Sequence, residues 1–332
     1  MTKNVNIFLR NPNRLGNFSL EIFFSELYEE LGKSIKIKIV KVPFKNKGIL
    51  PRILNILFCY FNQTDINHII GDITYCSLLM RKNKLVITLL DCISLYQTKG
   101  IKRKILKYFL FQMPINRSSR IILISESTKK DIENLLNLKL NNFTIIPVTI
   151  SKNFFLNTEV KKSKKFNKKL LMVGTAPNKN IERVAIALEG IDCSIEIIGK
   201  LNQSQLKQLL KSKINFIEHD RPLTESEVIN KYLNCDVLLF PSTLEGFGMP
   251  IIEANVLGTN VITSSISSMP YVANKSALLV DPFDTNSITK AIVELMNNAH
   301  LRNSLKEKGR LNAQRFKIEQ IALKHLEIYN KI

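Results

Sequence analysis

The stretch DVLLFPSTLEGFGMPIIEA, residues 236–254, contains a strand, a loop with two glycines and the start of a helix. The apolar run from Val237 to Phe240 predicts a buried strand, which Pro241 ends. Pro250 suits the first turn of a helix, because the N–H that proline lacks has no partner there. Parallel sheets bind ligands where their strands end. The stretch therefore predicts part of an α/β sheet with a binding site in its loop.

The same alternation of strand and helix extends outward and occurs twice along the chain, which predicts two α/β units with parallel sheets. The predicted strands of the first half are 5–10, 35–40, 67–72, 84–90, 120–125 and 143–148, with helices at 18–31, 49–61, 100–113 and 126–137. Those of the second half are 170–175, 194–199, 214–219, 236–242, 260–265 and 277–282, with helices at 180–189, 203–212, 224–233, 249–257 and 284–315.

The domain boundaries follow from this pattern. Residues 1–148 form a first Rossmann-like domain, and residues 170–316 form a second one that binds the ligand of the glycine loop. Residues 149–169, which end in the polar run VKKSKKFNKK, lack periodicity and are predicted to be a linker. The last helix, 317–332, is long enough to return to the first domain.

The glycine loop has the residues that an anion site needs. Backbone amides of the loop and the positive end of the following helix form a cradle for a diphosphate, contributed by Gly246, Phe247, Gly248 and Met249. Glu245 precedes this cradle, and Glu253 lies one turn into the helix. Because carboxylates would repel a diphosphate, we expect both to bind flanking hydroxyl groups. A diphosphate with a hydroxylated group at either end is a nucleotide sugar.

Glu245 and Glu253, eight positions apart within this frame, resemble the motif of the family-four retaining glycosyltransferases of the GT-B fold. The resemblance spans most of the chain and is strongest over 169–296. It implies two Rossmann-like domains that face each other across a cleft. It also implies that Glu245 lies by the transferred sugar, that Glu253 holds the ribose of a UDP- or GDP-sugar, and that the amides of 246–248 bind the phosphates.

Three further segments match this family. In VGTAPNKN, residues 173–180, the family often has an arginine after Gly174 and a lysine four residues later; Lys179 fits the second place, whereas Thr175 occupies the first. An ordinary turn with an exposed lysine is the alternative. The segment 217–223, which contains Arg221, resembles the part that surrounds the nucleotide base. Gly16 lies in RLGN, where the family has a glycine-rich loop near the donor phosphate and the acceptor.

The first half departs from the family at two places. Leu90 precedes Asp91 where the family typically has a histidine over the transferred sugar, and Thr74 stands where related members carry another histidine. Two interpretations remain open: an active enzyme with a drier, reshaped sugar pocket, or a donor-binding partner subunit with weakened activity.

The resemblance implies front-face displacement with retention, in which the departing phosphate oxygen takes the proton of the acceptor hydroxyl. Such a reaction needs a stabilised leaving group more than a nucleophile. No Asp-x-Asp motif occurs in the chain, so we expect no metal and no other cofactor. Lys179 and the loop amides would then carry the charge of the leaving group.

The charge of the chain is strongly positive, with 48 Lys and Arg against 28 Asp and Glu and a net charge of +20. Lys, Asn and Ile are abundant along the whole chain, and general composition is one source of the excess. Residues 33–52 and 99–107 add local stretches that are rich in basic residues and contain no acid. The helix at 101–113 either packs one face on the sheet or lies on an anionic membrane surface. The second reading agrees with a glycan acceptor linked to polyprenyl diphosphate.

Composition excludes several other classes. A hydrophobic content of 45% over 332 residues excludes fibrous and disordered proteins. A nucleic-acid-binding protein is an alternative that rests on charge alone, since the chain has no recognition motif and no Trp. An epimerase lacks supporting residues. Five scattered cysteines fit neither disulfides nor zinc, and no signal peptide or membrane span is recognisable, so we expect a cytoplasmic protein, peripheral on the inner face of the membrane.

Overall fold

A computed structural model describes residues 3–10, 18–46, 48–96, 98–157 and 166–332. Of residues 18–22 it describes the backbone only. The chain divides into two compact units. The first consists of Met1–Val148 together with Ile318–Ile332, and the second is Thr149–Lys317. Each unit contains one six-stranded sheet in which all neighbouring strands are parallel. The predicted fold class, two parallel sheets wrapped by helices, is confirmed.

The sheet of the first unit has the strand order β2-β1-β3-β4-β5-β6. Its strands are β1 Asn4–Leu9, β2 Lys36–Lys41, β3 Ile66–Ile70, β4 Leu85–Leu89, β5 Arg120–Leu123 and β6 Phe143–Ile145. Every residue of β3 and β4 is buried, as expected for central strands covered on both faces. The helices up to this point are α1 Phe18–Gly32, α2 Ile49–Phe61, α3 Ile93–Tyr96, α4 Gly100–Lys107, α5 Met113–Arg117 and α6 Glu126–Leu136.

One helical segment of the first unit is irregular. A π-helical turn at Tyr108–Gln112 connects α4 to α5, so that the predicted helix 100–113 continues to Arg117. The Oγ1 of Thr74 donates to the carbonyl oxygen of Leu110 in this turn at 2.7 Å. Thr74 itself begins a short 3₁₀ helix, Thr74–Leu79, which packs between α2 and the π-helical turn.

The sheet of the second unit has the order β12-β11-β10-β7-β8-β9. Its strands are β7 Lys169–Val173, β8 Ser194–Ile198, β9 Asn215–His219, β10 Val237–Phe240, β11 Asn260–Ser264 and β12 Leu278–Val280. Its helices are α7 Lys152–Leu156, α8 Ile181–Ala187, α9 Gln203–Lys211, α10 Glu225–Asn234, α11 Met249–Val256, α12 Met269–Ala273, α13 Thr285–Asn297 and α14 Ala299–Ala313.

Two segments of the second unit differ from expectation. The predicted helix 284–315 is interrupted at Asn298, whose side-chain oxygen accepts from Leu301 N at 2.9 Å and caps α14. The predicted linker 149–169 contains the helix α7 and contributes Thr149–Asn157 to the second unit. Residues 158–165 of that segment lie outside the described part of the chain.

The C-terminal helix, α15 Ile318–Asn330, belongs to the first unit and packs against α1. The hydroxyl of Tyr329 is 2.7 Å from Nδ1 of His68 on β3, and Lys3 Nζ donates to the Tyr329 carbonyl at 3.3 Å. A search of the described helices for one long and apolar enough to cross a membrane finds none.

Candidate functional site

Two neighbouring strands of the second unit bring the predicted donor residues together. β7 and β10 pair in parallel, so that the loops after both strands leave the same edge of the sheet. The backbone N–H of Thr243 donates to the Asn178 carbonyl at 2.8 Å, which ties one loop to the other. The buried Asn180 strengthens this connection, because its amide donates to the carbonyl of Pro241 at 3.1 Å.

Lys179 and Glu245 are in direct contact at this edge. The distance from Nζ to Oε1 is 2.5 Å, and the two side chains are only 17% and 14% exposed. The amide of Asn178 donates to the same carboxylate oxygen at 3.2 Å. The Lys179 ammonium also lies 4.6 Å from the centroid of the Phe240 ring. The two residues predicted to be catalytic are therefore in contact with each other.

Gly174 is required where the lysine crosses the end of β7. Its φ of +88° falls in the left-handed region, and a Cβ at this position would lie 3.0 Å from Cε of Lys179. Thr175 follows with its backbone carbonyl bound by the Gln205 amide at 2.8 Å. Thr175 thus places a hydroxyl group at the position after the glycine. Lys179 supplies the positive charge of this loop.

The N-terminus of α11 has the features of an anion cradle. Gly248 begins the helix with φ +112°, and no described side chain caps the helix there. Hydroxyls of Ser267 and Ser268 hold the loop by donating to the carbonyls of Glu245 and Phe247 at 2.8 and 2.6 Å. A helix start of this kind, with a glycine at positive φ and no side-chain cap, is a common form of anion site.

The predicted loop residues differ in burial, and therefore in which of their atoms could contact a ligand. The ring of Phe247 is buried 5.9 Å from that of Phe316, so only its backbone could contact a ligand. Met249, half-buried, is the first residue of α11. Gly246 is half-buried between Glu245 and Phe247.

Glu253 lies buried on α11, one turn beyond the cradle. The Tyr232 hydroxyl donates to its Oε2 at 2.6 Å. Burial raises the pKa of Glu253 to about 7, and the hydrogen bond from Tyr232 acts in the opposite direction. Burial likewise raises the pKa of the Tyr232 phenol, and the neighbouring Glu253 adds to the effect. Tyr232 is fully buried, and its hydroxyl group contacts Glu253.

Of the other two predicted ligand residues, Arg221 lies in the described part of the chain. Arg221 lies in the exposed loop between β9 and α10, where its guanidinium pairs with Glu227. Glu227 and Thr224 form a capping box at the start of α10. Gly16 and its loop lie outside the described residues.

A cavity of about 440 Å³ is lined by residues of the first unit. Thr74 and Leu90, the two departures from the family pattern, both line it, as do the carboxylates of Asp72 and Asp91. Burial raises the pKa of Asp91, whose Oδ1 accepts from the N–H of Ile93 at 2.9 Å. The hydroxyl of Thr74 is engaged with the π-helical turn, so the cavity wall is apolar at these positions.

Several contacts that build the site were not predicted from the sequence. Asn178 and Asn180 connect the two loops, and Ser267 and Ser268 fix the cradle from the loop after β11. Asparagine at a strand-to-helix turn is a general signal for such bridging, whereas nothing local marks two serines that act on a loop 22 positions away. Among the described residues, no group of three or more His, Cys, Asp or Glu is placed to hold a metal ion.

Comparison with known proteins agrees with this geometry. Residues 155–312 match the family glycosyl transferases group 1. An uncharacterized glycosyltransferase of Methanocaldococcus jannaschii is 25% identical, over 77% of this chain and 72% of its own. The O-antigen chain mannosyltransferase RfbU of Salmonella typhimurium is 28% identical over 62% of this chain, and the match spans 59% of that relative.

Among solved structures, HepE of Anabaena in complex with UDP superposes with a TM-score of 0.74 at 13% identity, and the match covers 100% of both chains. The two parallel sheets, with their loops at the strand ends, are thus an established architecture. This chain has the GT-B fold, and its residues 155–312 match the glycosyl transferases group 1.

Proposed function

We propose that this glycosyltransferase moves a hexose, with retention and without a metal ion, from a UDP- or GDP-sugar to a hydroxyl of a glycan acceptor. The acceptor would be linked to polyprenyl diphosphate at the cytoplasmic face of the membrane, in the synthesis of a surface polysaccharide. The O-antigen mannosyltransferase among its relatives supports the polysaccharide, and the UDP complex of HepE supports a nucleotide donor.

The observation that carries the proposal is the contact between Lys179 and Glu245. The two charges come from loops 66 positions apart and meet beside the uncapped N-terminus of α11. A partly buried ion pair that does not stabilise the fold has an unfavourable free energy, because both charged groups lose water. Its place at the ends of adjacent strands fits a reactive site better than a fold-stabilising one.

Donor binding would replace the contact between Lys179 and Glu245 with contacts to the donor. The Lys179 ammonium moves its interaction to the diphosphate, which the amides at the start of α11 also bind. The Glu245 carboxylate, still held by Asn178, then accepts a hydrogen bond from a hydroxyl of the sugar. Both steps need only short side-chain movements.

In the chemical step, negative charge develops where Lys179 can interact with it. The bond from the anomeric carbon to the diphosphate oxygen breaks, and the acceptor oxygen bonds to that carbon on the same face. The acceptor proton goes to the departing phosphate oxygen. Lys179 and the helix amides stabilise the negative charge that develops on the leaving group.

Glu253 would bind the ribose hydroxyls in its charged form. Tyr232 orients the carboxylate through one oxygen. Because the pKa of Glu253 is raised to about 7, donor binding should favour loss of its proton, since hydroxyl donors stabilise the anion.

The test is incubation of purified protein with a glycan acceptor linked to polyprenyl diphosphate and a panel of UDP- and GDP-sugars, with and without EDTA, followed by measurement of released nucleoside diphosphate and of the glycan product. We expect release from one donor, unaffected by EDTA, and an α-linked product from an α-linked donor by NMR. Activity that EDTA abolishes and manganese restores would refute the metal-free reaction, and an inverted anomer would refute retention. Donor binding without turnover would instead favour the weakened partner subunit.

A further inference from the structure

Helix α2 of the first unit exposes an apolar face. Ile49, Leu50 and Phe61 are 79%, 66% and 78% exposed. The remaining members of this face recur at the spacing of one helix side: Ile53, Leu54, Leu57 and Tyr60. Monomeric proteins rarely expose such a contiguous apolar stripe, which therefore marks a contact surface. We call these seven residues the α2 face.

Buried polar contacts keep the α2 face pointing outward. Asn55 is fully buried on the opposite side of the helix, where its Oδ1 accepts from Phe44 N at 3.1 Å and its amide donates to Phe44 O at 3.0 Å. The same amide donates to the hydroxyl of Tyr75 at 3.1 Å. Rotation of the helix to bury the apolar stripe would break all three bonds. The fold thus maintains an exposed apolar face at the expense of burying an asparagine.

The neighbouring helix supplies positive charge. The 3₁₀ helix Thr74–Leu79 packs between α2 and the π-helical turn that extends α4. On α4, Lys102, Arg103 and Lys104 are exposed, as are the apolar Ile101 and Ile105. The sequence contains no acidic residue from 42 to 61 or from 99 to 117. Exposed apolar side chains beside cations are the composition of an interfacial helix on anionic lipid.

We propose that the α2 face inserts into the headgroup region of an anionic lipid bilayer, with the basic residues of α4 contacting the lipid phosphates. This goes beyond the transfer reaction, since it holds for any donor and acceptor. It also changes the element expected to meet the membrane: α2 provides the insertion, and α4 provides the electrostatic attraction.

The first experiment is sedimentation with vesicles of phosphatidylcholine alone or with phosphatidylglycerol. We expect binding to the anionic vesicles and weak binding to the neutral ones. The variant L50S/F61S should weaken binding on the order of 100-fold, because two large apolar side chains no longer leave water. K102Q/K104Q should weaken it about fivefold for each charge removed. The control L210S/L311S replaces leucines that are 62% and 74% exposed in the second unit and should bind as the parent does.

A second experiment reports insertion directly. The chain contains no Trp, so Phe61→Trp introduces a single fluorophore on the α2 face, and Leu311→Trp introduces one elsewhere. The emission of the first should shift to the blue on anionic vesicles and be quenched by brominated lipid, whereas the second should not change. Thermal midpoints equal to the parent's show that the variants fold.

Three outcomes would overturn the proposal. One is equal binding of the parent and L50S/F61S. A second is an unshifted Phe61→Trp emission on anionic vesicles. The third is a concentration-dependent dimer that L50S/F61S abolishes while vesicles bind neither protein, which would assign the face to a second copy of the chain. Donor hydrolysis without vesicles is measured separately, so failure of membrane binding is distinguishable from failure of the transferase.

Discussion

Replacement of Glu253 by glutamine should stabilise the protein and impair donor binding at the same time. Burial raises the pKa of this carboxyl from its usual 4.5 to about 7. The folded state therefore binds a proton more tightly than the unfolded state. The stabilising effect of that proton is complete below about pH 4.5 and is lost as the pH rises through 7. Glutamine keeps an oxygen for the Tyr232 hydroxyl but has no charge to bury.

The magnitude follows from the pKa difference. Each pKa unit between the folded and unfolded states corresponds to about 1.4 kcal/mol, so the charged carboxylate costs about 3 kcal/mol above pH 7. Most of this difference develops between pH 5 and pH 8. The free energy of unfolding of Glu253→Gln, relative to the parent, should rise by about 2 kcal/mol over that interval.

Urea unfolding followed by circular dichroism at pH 5, 6, 7 and 8 measures this difference. The control Glu189→Gln removes an exposed carboxylate of the same unit and should show no such rise with pH. A stability difference for Glu253→Gln that is constant across the range would refute the argument from burial.

Donor binding provides the complementary measurement. Parent protein should bind a nucleotide sugar about tenfold more tightly at pH 8 than at pH 6, because the charged carboxylate is the ribose-binding form. A nucleotide sugar is the right ligand, since a free nucleoside diphosphate carries a terminal phosphate that titrates near pH 6. In Glu253→Gln, calorimetry should give weak binding that does not change with pH. If the affinity of the parent protein for a nucleotide sugar does not change with pH, Glu253 does not bind the ribose.

Three further outcomes follow from other contacts. Lys179→Ala should lower kcat about 10²–10³-fold, with a smaller change in donor Kd; equal losses in single-turnover rate and in affinity would contradict a role in the chemical step. Gly174→Ala should lower the unfolding free energy by about 1–3 kcal/mol, measured by urea titration, because of its positive φ and the 3.0 Å approach to Lys179. Burial lowers the pKa of His325 to about 4. The contribution of His325 to the free energy of unfolding should therefore fall by about 3 kcal/mol as the pH drops from 6.5 to 4, and a stability difference between the parent and His325→Gln that does not change with pH would exclude this effect.

The twelve strands were predictable because each is a short apolar run between turn residues. Central strands such as β4 and β10 are buried on both faces, and this burial demands an uninterrupted apolar sequence. The break between α13 and α14 was missed, because apolar residues continue across Asn298 at helical spacing. An asparagine that caps the second helix was the available signal.

The site was predictable in its residues but not in its contacts. The sequence indicated Lys179 and Glu245 separately, each from its own strand-loop-helix pattern. Their pairing depends on β7 lying beside β10, and strand order is set by the packing of the whole sheet rather than by local sequence. For the same reason the serines after β11 that hold the cradle could not be assigned to it.

The α2 face was equally hidden, since a helical period shows an apolar stripe but not the direction in which it points. An apolar stripe usually faces the core. Asn55 reverses the orientation through hydrogen bonds to Phe44 and Tyr75, which come from a loop and a 3₁₀ helix. Such an arrangement depends on partners 11 and 20 positions away that have no common motif.

The contact between Lys179 and Glu245 also sets a condition on what can bind. A ligand must replace one carboxylate at Lys179 with an anion that interacts at least as well, in a place with little exposure to water. A ligand with a single negative charge gains at Lys179 only what Glu245 already supplies. A diphosphate bears a second charge, which the amides of α11 can bind at the same time. We expect the contact between Lys179 and Glu245 to favour diphosphate donors over sugars carried on a phosphodiester, which has a single charge, and we expect Glu245 to reach the sugar after the leaving group has bound.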